Sequence, residues 1–278
     1  MAGYDPARRT ERLNAWRDVA VAIQDADAYG HLITAHLTNE RPIASYYQDE
    51  GWLSFTLNQL GHGDLDMHAR YWGEHLEHYP GRPMIEGESL YEGLNSVEYT
   101  GRRVVTDLMV RQVAYRAIQS GCCGYSYGAQ GGWNGAWDAD EARISWGSLP
   151  WYEGVDLAGA AQMGHLRRLY ESLDWTSLRP APRFFATSND ENELFYRPAV
   201  SADDQGRTIV LYFAETYRFE EGAGTLQGLL PTGYRIDWFD PRSGERTNVA
   251  TAAVPDSGEF FVPPAPGEGD WVLTVEAV

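Results

Sequence analysis

The chain has 278 residues, with 40 acidic against 22 basic residues and a formal net charge of −18. Every basic residue other than histidine is an arginine, which excludes a Schiff-base lysine and the lysine of a phosphate-binding P-loop. The negative charge argues against nucleic acid as a partner and favours an uncharged ligand.

The first predicted elements are a helix followed by two strands. Apolar residues at helical spacing, including Leu13, Trp16 and Val19, predict a helix from about residue 10 to 25. Short apolar runs at 31–36 and 52–57 predict buried strands.

The pattern then alternates between helices and strands. A helix is predicted from about 64 to 78 and a third strand at 83–87. Thr106 and Gly121 are typical of an N-cap and a C′ glycine, so they bound the next helix. A fourth strand at 121–127 and a last helix from about 157 to 173 complete the series. This alternation predicts parallel βα units.

The character of the chain changes after residues 179–182, a proline-rich boundary. Strand-like segments separated by Gly, Pro and Asp turns follow to the C-terminus. They are predicted at 194–200, 208–213, 234–239, 259–262 and 271–275. We therefore predict an α/β domain over residues 1–180 and an all-β domain over residues 183–278, most simply a β-sandwich.

Polar side chains follow each of the four predicted α/β strands. The carboxyl ends of parallel strands lie on one face, where such folds build their sites. We therefore expect one polar rim, lined in addition by the aromatic end of a glycine-rich loop. The candidate residues are His36, Gln59, His62, Glu86, Glu88, Tyr91, Glu92, Tyr125, Tyr127 and Trp133.

The acids that end the third strand are the chemically most informative part of this rim. Strand alternation places Glu86 and Glu88 on the same face, so one can be a nucleophile that the other supports. The alternative for these acids is a solvated loop, or ion pairs with Arg102 or Arg103.

No metal or cofactor is predicted. His36 and His62 are either hydrogen-bonded structural histidines or members of the site. Zinc ligation by them is a further alternative with little support, because the chain contains no HxH, HExxH or CxxC spacing. The adjacent Cys122 and Cys123 are interpreted as small strand residues, because neighbouring side chains of a strand point to opposite faces.

Four motif-bearing segments follow one another along the α/β part: His31 to His36, Trp52 to His62, Pro83 to Gly93 and Gly121 to Trp133. In this order they resemble the second half of the apiosidase-like glycoside hydrolase barrel. The later segment Trp238 to Gly244 is similar to the β-domain often appended to that barrel and labelled collagen-binding. The resemblance implies the C-terminal half of a (β/α)8 TIM barrel followed by a small β-sandwich.

The resemblance also implies an activity. In that family the carboxylate that ends the seventh strand is the expected nucleophile, and it matches Glu88. The implied function is a retaining glycoside hydrolase acting on plant-type polysaccharide side chains. The implied sugar contacts include His36, Gln59, His62, Tyr125 and Tyr127.

One expected motif is missing. The family's acid/base Asp, in a Gly-Gly-Asp-like motif, should precede the first helix, where the chain has only Met1 to Arg9. We therefore expect an N-terminally incomplete enzyme, completed by a separate N-terminal half or by a second copy that covers the open barrel edge. Without the acid, turnover is expected to fall by roughly 10²–10⁴-fold.

A second hypothesis comes from a different class of protein. The rim and the β-domain can belong to a non-catalytic carbohydrate-binding or interaction protein. No membrane partner is predicted, because no apolar run is long enough to span a bilayer. The family resemblance implies secretion or the cell envelope, although residues 1–12 do not resemble a signal peptide, so the compartment is left open.

Overall fold

The N-terminal part of the computed structural model combines helices with a small parallel sheet. The described residues are 6–36, 43–61, 65–95, 104–144, 149–187, 197–217, 219, 223–253 and 257–278. The helices of this part are α1 (Pro6–Ala26), α2 (Ala44–Tyr47), α3 (Leu65–His78), α4 (Asp107–Gln119), α5 (Ala139–Ile144), α6 (Trp151–Gly154) and α7 (Ala158–Glu171). Its strands are β1 (Thr56–Gln59), β2 (Met84–Glu88), β3 (Tyr91–Glu92), β4 (Gly124–Tyr125) and β5 (Gly128–Ala129).

Helix α4 begins and ends where its capping residues predict. The Thr106 side chain accepts a hydrogen bond from the backbone N–H of Met109, which satisfies one free donor of the first turn. After the helix, Gly121 adopts a φ of +93°, a conformation that favours glycine. The sequence prediction of both ends is confirmed.

The parallel sheet brings the predicted strand ends to one edge. Strand β2 lies between β1 and β4, and both pairings are parallel. The predicted strand at 31–36 is reduced to two isolated parallel bridges, Ile33 with Leu53 and His36 with Leu57. These bridges place segment 31–36 beside β1. Consecutive parallel neighbours are what a barrel requires, and the half barrel itself stays a prediction.

The predicted fourth strand is interrupted. Residues 121–127 contribute only β4, and the chain then pairs again through β5, which lies parallel to β3. This second, two-stranded sheet continues beyond the end of β2. The loop that follows β5 therefore lies at the same edge of the sheet as the acids of β2.

The C-terminal part consists of two packed antiparallel sheets. Its strands are β6 (Arg179–Pro180), β7 (Phe185–Ala186), β8 (Ala199–Ala202), β9 (Thr208–Phe213), β10 (Gly224–Leu226), β11 (Gly233–Phe239), β12 (Arg246–Ala253), β13 (Phe260–Val262) and β14 (Trp271–Ala277). One sheet has the order β12-β11-β14-β9-β8-β6 and the other β13-β10-β7. Buried side chains from both sheets, such as Phe213, Trp238, Leu226 and Val262, form one core.

Helix α4 joins the two parts. Val110 and Val113 pack against the parallel sheet and α3, while Tyr115 stacks on Tyr212 of β9 with ring centroids 5.0 Å apart. Arg111, on the same helix, is buried at the contact with the β-rich part. The two parts therefore share an apolar and ionic interface.

The ionic centre of this interface is the guanidinium of Arg111. Its Nε and Nη2 donate to the two oxygens of Asp270 at 3.0 and 2.9 Å, and its Nη1 donates to Asp107 and Gln162. The Tyr212 hydroxyl donates to Asp270 as well. A buried charge pair is tolerated only when its remaining hydrogen-bonding groups are satisfied, as they are here.

Within the described part of the chain, every helix is too short or too polar to cross a bilayer.

We expect Asp270→Ala to lower the free energy of unfolding by about 3–5 kcal/mol, because it leaves the buried Arg111 without its bidentate partner. Urea denaturation measures this change. Glu276→Ala, which removes an exposed pair with Arg235, is the control and should cost less than about 1 kcal/mol. Equal losses for the two variants would contradict the role given to Arg111.

Candidate active site

Glu88 stands at the carboxyl end of β2, where side chains from three other segments meet it. Gln59, at the end of β1, donates from Nε2 to Glu88 Oε2 at 2.8 Å. His36 Nε2 lies 3.3 Å from the same oxygen. The side chain of Glu88 is 22% exposed, so a ligand can reach it. The predicted rim therefore brings these three residues together.

Tyr91 is the third partner of this carboxylate. Burial, and then the charge and hydrogen bond of Glu88, raise the pKa of Tyr91 to about 12. The phenol therefore keeps its proton at neutral pH and donates to Glu88. A carboxylate held by several hydrogen-bond partners is fixed in orientation, as a nucleophile must be.

Glu86 has different surroundings. Its side chain is fully buried and accepts a hydrogen bond from Trp72 Nε1 of α3 at 3.0 Å. Burial raises its pKa to about 8, although the bonds from Trp72 and the Leu60 backbone oppose the shift. Glu86 is therefore mostly protonated at neutral pH and is enclosed behind the strand.

The difference between the two acids follows from a register shift. Asn58 pairs with Glu86 but Gln59 pairs with Glu88, so Gly87 has no partner on β1. This β-bulge interrupts the alternation that would have given Glu86 and Glu88 one shared face. A Cβ at position 87 would lie 2.7 Å from Leu57 Cγ, so any other residue at the bulge has to displace the Leu57 side chain.

Glu92 is also enclosed, and its partners are structural. Its Oε2 accepts from the Tyr127 hydroxyl at 2.6 Å and from the backbone N–H of Gly159 at 2.9 Å. These bonds tie β3 to the segment after β4 and to the first turn of α7. Burial, and then Glu92 itself, raise the pKa of Tyr127. The structure therefore buries Glu92 beneath the rim and leaves Tyr127 half-buried beside it.

The remaining predicted residues lie around the Glu88 cluster. The Tyr125 hydroxyl shares a hydrogen bond with Ser89 Oγ at 2.9 Å. The Trp133 ring lies 6.4 Å from that of Tyr91 and is half exposed. His62 lies outside the described residues.

Two partners were not predicted from the sequence. Trp72 donates a hydrogen bond to the buried Glu86, and Ser89 shares a hydrogen bond with Tyr125. The amphipathic pattern of α3 indicates that Trp72 is buried but not which strand it meets. The described residues contain no group of three or more His, Cys, Asp or Glu arranged to hold a metal ion.

The fold matches solved glycoside hydrolases. One, titled "Glycoside hydrolase", superposes with a TM-score of 0.74 at 19% identity, over 94% of this chain and 61% of its own. A glycoside hydrolase family 5 protein from Bacteroides vulgatus superposes with a TM-score of 0.77 at 19% identity, over 94% of this chain and 58% of its own. This chain thus spans about three fifths of their length, and its fold is that of glycoside hydrolases.

The family itself follows from the sequence models. Residues 1–177 match the apiosidase-like catalytic domain, and residues 183–276 match the domain described as "Putative collagen-binding domain of a collagenase". The chain belongs to the apiosidase-like family, and the predicted resemblance is confirmed. No curated protein matches the chain.

We expect Glu86→Gln to flatten the dependence of stability on pH. The folded pKa of about 8 lies above the unfolded value of 4.5, so this carboxyl favours folding at low pH and loses that contribution between about pH 4.5 and 8. At pH 8.5 the free energy of unfolding of the variant should be higher than that of the wild type by on the order of 4 kcal/mol. Denaturation across this pH range measures it.

The matched control is Glu74→Gln, on the exposed side of α3. In Glu74→Gln the free energy of unfolding should change with pH as steeply as in the wild type. His75 titrates in every one of these proteins, so the difference between curves isolates Glu86. Parallel curves for wild type and Glu86→Gln would contradict the raised pKa.

We expect Gly87→Ala to destabilise the protein by about 1–3 kcal/mol, because the added methyl group overlaps Leu57. Leu57→Ala removes the obstacle, so the double variant should lose less than the sum of the two single variants. A double-mutant cycle on unfolding free energies measures this coupling. Additive losses would show that position 87 has room for a side chain.

Proposed function

We propose that this chain carries the nucleophile of a retaining glycoside hydrolase that acts on side chains of plant-type polysaccharides, with Glu88 in that role. The observation that carries the proposal is the accessible carboxylate of Glu88 at the end of a parallel strand, held by Gln59, His36 and Tyr91. Such strand ends build the active sites of α/β barrels.

In the proposed reaction an oxygen of Glu88 attacks the anomeric carbon as the glycosidic bond breaks. The leaving oxygen takes a proton from a general acid, and a covalent glycosyl ester forms on Glu88. Water then attacks the same carbon, gives its proton to the former acid and releases Glu88. The hydrogen bonds from Gln59 and Tyr91, together with the contact of His36, keep the Glu88 carboxylate in place both during the attack and after its release.

The general acid of this mechanism needs a second carboxyl group about 5–5.5 Å from the first. Glu86 is enclosed against Trp72, and Glu92 is engaged by Tyr127 and Gly159. Neither neighbouring acid can therefore reach a bound sugar. We place the general acid outside the described residues, in a further part of the enzyme.

Helix α1 supports the presence of such a part. Its residues Trp16, Val19 and Ile23 are about half exposed, although their spacing is that of a buried helix face. Further barrel units, from a separate N-terminal half or a second copy, would cover this face. The larger size of the matching solved structures is consistent with this assembly.

The second candidate function is non-catalytic carbohydrate binding. The enclosure of Glu86 and Glu92 favours this alternative. It leaves Glu88 as the accessible carboxyl of the three, whereas cleavage needs two. Sugar binding without formation of a covalent intermediate distinguishes this alternative from the first.

We expect 2-deoxy-2-fluoro glycosides with a dinitrophenyl leaving group to label Glu88 covalently. Dinitrophenolate departs without protonation, so the test does not require the general acid. Mass spectrometry of a protease digest, over a panel of pentosyl and hexosyl reagents, measures the label on the peptide that contains Glu88.

Glu88→Gln should remove the label, and Glu86→Gln should retain it, because Glu86 does not reach the sugar. Methyl glycosides, which need the acid, should turn over roughly 10²–10⁴-fold more slowly in this chain than in the assembled enzyme. Equal labelling of wild type and Glu88→Gln would reject the assignment. Sugar binding with no label from any reagent would support the non-catalytic alternative.

A further inference from the structure

The loop that follows β5 presents a row of exposed aromatic rings. Trp133 is 51% exposed and Trp137 is 70% exposed. Trp151 and Tyr152, on α6, are 38% and 48% exposed. The ring centroids of Trp137 and Trp151 are 5.8 Å apart in an edge-to-face arrangement, and Tyr152 continues the contact at 6.0 Å.

This row is held rigidly although it is exposed. The Trp151 N–H donates to Ala136 O at 2.8 Å and the Gln130 N–H to Glu92 O at 2.8 Å, so both halves of the loop are tied to each other and to β3. A Cβ at Gly154 would lie 3.0 Å from the Gly132 nitrogen, which shows how closely the backbones approach. Rings on such a support lose little freedom when they bind.

The row is continuous with the candidate active site. The Trp133 ring contacts Tyr91, whose hydroxyl donates to Glu88. Trp137 comes four positions after Trp133, so their Cα atoms are at most about 14 Å apart. A short oligosaccharide that occupies the Glu88 site can therefore extend onto Trp137 and Trp151.

The charge of this region limits the kind of ligand. Residues 128–160 contain five acids, Asp138, Asp140, Glu141, Glu153 and Asp156, and a single basic residue, Arg143. A uronic-acid polymer would be repelled here, whereas neutral sugars present apolar faces that stack on aromatic rings.

We infer that Trp137 and Trp151 form a distal subsite for a neutral glycan chain, which continues outward from the sugar bound at Glu88. This inference rests on the proposed function, because it takes Glu88 as the point of cleavage or anchoring. Remote contacts of this kind supply binding energy that short substrates lack. The subsite therefore selects chains over single sugars, and neutral chains over acidic ones.

The test measures binding of xyloglucan, galactomannan and polygalacturonate by affinity electrophoresis, in a Glu88→Gln background so that no polymer is cleaved. Trp137→Ala and Trp151→Ala should each weaken binding of a neutral polymer about tenfold. Trp175→Ala is the matched control, because Trp175 is 37% exposed and lies on a separate 3-10 helix. It should leave binding unchanged.

Trp137→Phe keeps an aromatic face and should restore most of the binding, which separates stacking from misfolding. With Glu88 intact, labelling by the monosaccharide reagents should be unchanged in Trp137→Ala. Equal effects of Trp137→Ala and Trp175→Ala, tighter binding of polygalacturonate than of the neutral polymers, or no binding of a neutral polymer would overturn the inference. Trp137-dependent binding without any label on Glu88 would support the subsite while rejecting the proposed cleavage.

Discussion

The burial of the Arg111 guanidinium is the constraint on which the packing of the two parts of the molecule against each other depends. Burying this guanidinium requires acceptors on several sides, and the chain supplies them from α4, α7 and the residue before β14. Helix α4 is thereby fixed between the β-rich part and the parallel sheet. Because β2 packs on the other side of this helix, the position of Glu88 depends on a contact made far from it in the sequence.

Three glutamates within seven residues have three different roles in the structure because their surroundings differ. Glu88 is accessible and held by donors, Glu86 is enclosed against an indole, and Glu92 accepts bonds that fasten α7. The bulge at Gly87 produces the first difference by changing which side chains face the rim.

Local patterns predicted much of the fold. The prediction that Thr106 and Gly121 bound helix α4 is confirmed at both ends, since caps are local features. Strand β9 was predicted at its observed limits because its side chains are almost all buried. Strand β12 was missed: it is an edge strand with largely exposed residues, so its sequence lacks the apolar pattern that identifies strands.

The sequence alone determined the alternation of helices and strands, the change to an all-β module, the family and the rim that contains Glu88. These properties depend on local propensity, periodicity and motif order. Only the tertiary structure decided that Glu86 is enclosed by Trp72, that Gln59 and His36 converge on Glu88, and that exposed tryptophans extend from the site. The reason is physical: a register shift and the packing of distant segments set burial and hydrogen bonding, and neither is encoded by spacing along the chain.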